Sequence, residues 1–199
     1  MKRIPDLDSW AVATATDLRK VAEQVAVAPV PDYLGEERLR FTTIAEDAAA
    51  AVARLTMPGR IDRDRCIYVL TLDERADADA LKSAYNDAKL RSDLKLPQDN
   101  NAASNVLYVG SSCATKKRKA TLKTRLSHHL GRAPKGTYAL SLAEWTSQLT
   151  GGIILQAWQY PSFGEGPAGD DAARRVVLAV EDWLSNELEP ILGRRGSRH

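Results

Sequence analysis

Cysteine is scarce in this chain. Cys66 and Cys113 are the only two, neither sits in a CxxC pair, and no Cys/His spacing of zinc type is present. Nothing points to a disulfide scaffold or an oxidising compartment. Long hydrophobic runs are missing too. The longest, such as Ala48–Ala53 and Val176–Val180, fall far short of the roughly 18 residues a membrane span needs. Between Met1 and Asp8, Pro5, Asp6 and Asp8 stand where a signal peptide would carry an apolar run. A soluble, cytoplasmic protein without a membrane partner is expected. The chain also lacks a surplus of one charge: 28 Lys and Arg against 26 Asp and Glu leave +2. Any case for a nucleic-acid partner must rest on where the charge lies. What remains is ordinary: 199 residues, 44% apolar and 27% charged. That composition excludes disordered and fibrous classes and is long enough to bury a core unaided.

Three stretches differ in pattern. Residues 1–60 read as a helical N-terminal extension. One helix is capped by Asp8 or Ser9 and runs to about Val27, where Pro29 and Pro31 end it. A second is expected from about Glu36 to Leu55, closed by Pro58 and Gly59. Residues 61–199 read as the main domain. Arg65–Leu72 and Asn105–Gly110 are rich in β-branched and aromatic residues and predict two strands that pair. Between them Ala76 to about Arg91 carries helical propensity. A basic helix is expected from Thr115 to about Leu130, a short one over Ser141–Leu149, a third strand over Ile153–Tyr160, and a helix from Asp170 or Asp171 to about Glu189. The fold class expected is α+β: a small three-stranded antiparallel sheet flanked by helices.

Taken singly, a tyrosine in a strand is core packing and a glutamate on a helix is a solvated charge. Their order is more informative. Cys66, Ile67 and Tyr68 are followed by Tyr108, Val109 and Gly110, then by a helix with Arg125 and His129, then by a helix with Glu181 and, nine residues on, Pro190. Over about residues 65–196 this order resembles the GIY-YIG nuclease family, whose members include homing endonucleases, an excision-repair nuclease and restriction enzymes. The resemblance implies a metal-dependent endonuclease acting on DNA. Tyr68 then matches the first signature tyrosine and general base, Tyr108 the second tyrosine and its positioning partner, and Arg125 the helix arginine. His129 matches a histidine one turn later and competes for the role of base. Glu181, chosen over Glu187 and Glu189 for its step to Pro190, matches the ligand of Mg²⁺ or another divalent cation such as Mn²⁺. Three departures stand out: Cys66 replaces a glycine, Gly193 stands where the family has an asparagine, and the segment between the tyrosines is long.

The chemistry fits those residue types. Phosphodiester hydrolysis needs a deprotonated nucleophile, neutralised phosphate charge and help for the leaving oxygen. A carboxylate suits a hard cation, and a guanidinium offers a planar fork to phosphate oxygens. Arg125 and His129, four apart, share a helix face. A cation beside a tyrosine lowers its pKa in the direction a base requires. From Ser111 to Lys135 there are eight basic residues (Lys116, Lys117, Arg118, Lys119, Lys123, Arg125, Arg132 and Lys135) and no acid. Such a run is either a solvated face or a phosphate-binding surface. Trp145, Trp158 and Trp183 are expected in the core, as is Cys66. A homodimer is the assembly that cutting both strands of a duplex would call for, although no dimer surface is legible. The rival reading is a catalytically inactive protein of the same fold that binds nucleic acid or regulates a partner.

Overall fold

The computed structural model describes residues 7–56, 65–113, 121–161 and 166–193. Helix α1 (Leu7–Ala26) leads into strand β1 (Asp32–Arg40), a single 3-10 turn (Phe41–Thr43) and helix α2 (Ile44–Leu55). Strand β2 (Cys66–Leu72), helix α3 (Ala78–Lys89), strand β3 (Val106–Ser112) and helix α4 (Leu122–Leu130) follow. A second 3-10 turn (Leu142–Glu144), strand β4 (Gly152–Gln159) and helix α5 (Gly166–Leu188) complete the order. No helix among the described residues is long and apolar enough to cross a membrane.

The α+β class holds, but the sheet has four strands, in the order β1-β4-β2-β3, all antiparallel. β2 and β3 pair as expected across the long intervening segment. The additional strand lies where a helix from Glu36 is expected; helix begins only at Ile44. The reason is the inward position Glu37. Its carboxylate receives Arg54 Nε and Nη2 of α2 at 2.8 and 2.6 Å. A charge therefore occupies an inward site, and the alternation of apolar and polar residues that marks a strand is missing. Pairing with β4 overrides local propensity. The approach is close: a Cβ on Gly152 would run into the Leu39 carbonyl oxygen.

The sheet has two covered faces. On one, Tyr68, Leu70 and Leu72 join Ile153, Leu155 and Ala157 in the main core with Phe41, Ile44 and Val52 before and within α2, Leu81 and Tyr85 of α3, and Leu122, Leu126 and Leu130 of α4. On the other, Ile67 packs with Val176 and Val177 of α5, and Val69 and Val109 pack with Leu184 and Leu188. This is the period-2 alternation of strands placed between helices. Residues 32–55 thus contribute a strand and a helix to the same core as the rest, rather than helices alone.

Candidate active site

Tyr68 and Tyr108 come from neighbouring strands and share one face. Tyr68 pairs with Gly110 across the β2–β3 ladder, and Tyr108 pairs with Leu70. Their rings stack with centroids 6.3 Å apart. Gly110 makes this possible. A Cβ there would lie 2.6 Å from Tyr68 Cζ and Oη and 2.7 Å from Tyr108 Cε1. The glycine of the second triplet is therefore required by the tyrosine of the first, which lies across it. Tyr68 is fully buried and Tyr108 half-buried.

Helix α4 brings the next two groups. Its N-terminus is capped by Thr121, whose Oγ1 accepts the Thr124 N–H at 3.3 Å. His129, fully buried, lies with its ring centroid 4.6 Å from that of Tyr108 and 5.7 Å from that of Tyr68. The Leu140 N–H donates to His129 Nδ1 at 3.2 Å. With Nδ1 accepting, the proton of the neutral ring is assigned to Nε2, and Nε2–H donates to Tyr68 Oη at 3.1 Å. Burial, then the Arg125 and His128 charges, hold the His129 pKa well below the usual histidine range. Burial pushes the Tyr68 pKa up, the Arg125 charge pulls it down, and Tyr108 and Glu181 push it up again. The same neighbours, Tyr68 foremost, raise that of Arg125. Tyr68, Tyr108, Arg125, His129 and Glu181 therefore form one electrostatically coupled group.

Glu181 reaches this group from α5, on the far face of the sheet. β3 is the outermost strand, and the Glu181 charge acts on Tyr68 and Arg125 of the other face. Ser111 Oγ, on β3, donates to Glu181 Oε2 at 2.5 Å. Glu187 and Glu189, the other glutamates near Pro190, are exposed. No cluster of three or more His, Cys, Asp or Glu that could hold a metal is present among the described residues. The donor set is one carboxylate beside an arginine. That suits Mg²⁺, which keeps several waters and binds through one or two carboxylates plus substrate phosphates. It does not suit zinc or an all-protein calcium cage.

After α5 the chain turns at Glu189, whose φ is +44°, and runs back along β3. Ile191 N–H and Leu192 N–H donate to Val106 O and Leu107 O. Gly193 packs against Tyr108: a Cβ there would sit 3.2 Å from Cε2, and φ is +122°. An asparagine at this position would be strained and crowded. The segment is held instead by the long insertion between the tyrosines. Asn100 Nδ2 donates to Pro190 O at 2.9 Å, Asn100 N–H to Ile191 O, and Gly193 N–H to Gln98 O.

The basic run is only partly described. Lys116, Lys117, Arg118 and Lys119 lie outside the described residues. Lys123 and Lys135 are exposed. Arg132 is engaged by carboxylates, Nη2 at 3.1 Å from Asp93 and Nη1 at 3.7 Å from Glu144. Cys66 is fully buried, as expected. Trp145 is partly buried and donates Nε1–H to Leu140 O, and Trp158 packs beside Tyr33 at 5.5 Å. Trp183 is a correction: it is 59% exposed, because it lies on the face of α5 turned away from the sheet. Two contributors escape a reading of the sequence. Ser111 and the Leu140 amide act through partners 70 and 11 positions away, and no local pattern marks them.

Compared with protein-family models, curated proteins and solved structures, the chain has no significant match.

Proposed function

We propose that this chain is a metal-dependent endonuclease of the GIY-YIG type that hydrolyses phosphodiester bonds in DNA. The observation that carries the reading is the buried hydrogen bond between Tyr68 Oη and His129 Nε2, with Arg125 and Glu181 coupled to the same hydroxyl.

The roles follow from the proton inventory. His129 has no free lone pair: Nδ1 accepts from Leu140 and Nε2 carries the proton. It is therefore a donor to Tyr68 rather than the base. Tyr68 Oη takes the proton of the attacking water. Burial foremost, then Tyr108 and Glu181, oppose the phenolate this requires and raise the pKa, while the Arg125 charge favours it; a donated His129 N–H acts in the same direction as Arg125. Tyr108 walls the ring of Tyr68, and Arg125 meets the negative charge that builds on the phosphate. Glu181 is the residue that would hold a divalent cation, whose chemistry when bound is neutralisation of phosphate charge and acidification of a coordinated water. Lys123 and the lysines before it supply sequence-independent attraction to the backbone.

The test is incubation of the purified chain with plasmid and Mg²⁺, with and without a chelator. Nicking or linearisation that the chelator abolishes supports the reading, provided Glu181→Gln also abolishes it. Salt-dependent DNA binding without any cleavage would leave the fold in a binding role only.

A further inference from the structure

Ser111 is the last part of this site without an assigned task, and its placement is specific. It lies on β3 opposite Ile67, on the α5 side of the sheet, and is 8% exposed. Its hydroxyl joins the strand that carries Tyr108 and Gly110 to Glu181 of α5 by a side-chain hydrogen bond. A carboxylate at the end of a glutamate can rotate about three side-chain bonds. A donor from a strand restrains the position of Oε2 and so narrows the orientations the group can take.

We propose that Ser111 is a positioning residue for the cation ligand Glu181: its Oγ–H holds the carboxylate in the orientation that binds a divalent cation beside Arg125. This rests on the reading of Glu181 given above. Hydrogen-bonded partners of metal-ligating carboxylates fix ligand geometry, and removing one typically costs about 10- to 100-fold in metal affinity. A buried serine facing α5 for packing alone would be replaceable by alanine without effect on metal binding.

The experiment titrates the full chain with Mn²⁺ and follows loss of the free-ion signal by electron paramagnetic resonance, so cleavage is not the readout. Ser111→Ala, Ser111→Cys, Ser111→Thr and Glu181→Gln are compared after thermal melting shows which are folded. Affinity about 10- to 100-fold weaker in Ser111→Ala, with Ser111→Thr near wild type because it keeps the hydroxyl, is the expected result. Ser111→Cys keeps the size but donates weakly, so it should fall with Ser111→Ala; it carries the test if Ser111→Ala does not fold. If Glu181→Gln loses Mn²⁺ while the serine variants bind as wild type does, the positioning role is overturned and the ligand stands. If Glu181→Gln binds Mn²⁺ unchanged, the ligand assignment falls and the positioning role falls with it.

Discussion

Both ring nitrogens of His129 are occupied, and this has consequences that two measurements can read. The first is kinetic. Tyr68→Phe removes the proposed proton acceptor and should cost about 10² to 10⁴ in single-turnover cleavage rate. Tyr108→Phe, which keeps the stacked ring, should cost less. A larger loss in Tyr108→Phe would exchange the two roles. Because burial raises the Tyr68 pKa, the wild-type rate should climb with pH through the neutral range, and Tyr68→Phe should lose that dependence. The second is stability. Folding depresses the His129 pKa, so the unfolded chain binds a proton near pH 6.5 that the folded chain refuses. The stabilisation is present above that pH and is lost below it, down to the depressed folded value, at up to about 1.4 kcal/mol per pH unit. Urea unfolding at pH 7.5 and 5.5 should show the loss, and His129→Gln should reduce it. Gly110→Ala is the steric counterpart. With Tyr68 Oη 2.6 Å from the new Cβ, the rings must part. Overpacking of this kind costs about 1–3 kcal/mol, and activity should fall further than a loss of stability explains.

The elements divide according to how local their causes are. Helix α3 is legible because Asp77 caps it, accepting the Asp79 and Ala80 amides at 2.9 and 3.0 Å. β2, β3 and β4 are legible because β-branched residues fill both faces of a doubly covered sheet. β1 is not, since its inward Glu37 is neutralised by an arginine 17 positions on. The site divides in the same way. Tyr68, Tyr108, Arg125, His129 and Glu181 are recognisable by order, whereas Ser111, the Leu140 amide and Asn100 work through contacts that only the tertiary fold creates. Charge shows the same limit. The run Ser111–Lys135 is uniform in sequence, but Arg132 is paired with Asp93 and Glu144. Replacing Lys116, Lys117 and Lys119 with alanine should therefore flatten the log–log salt dependence of duplex binding by roughly 0.9 for each lost contact. Arg132→Ala should leave the slope unchanged. Gel shifts over a salt series distinguish the two.

At the scale of the whole molecule, residues 39–55 are part of the main core. Leu39, Phe41, Ile44, Ala51 and Val52 are nearly or fully buried in the main core, which they share with Tyr68 and α4. A chain beginning at residue 61 should lack a cooperative melting transition by circular dichroism. Phe41→Ala should destabilise the full chain by about 3–5 kcal/mol. The opposite boundary has another consequence. The wall behind Tyr108 is built from Gly193, and it is pinned by Gln98 and Asn100. Chains emerge from the ribosome N-terminus first and fold as they appear. The sheet order forces a similar wait, because β1 and β2 have no common neighbour until β4 is made. During synthesis, then, both tyrosines exist long before the residues that pack around them do. The packing of Gly193 against Tyr108 is completed only after residue 193 has been added, so a partly made chain carries these side chains without the contacts that align them.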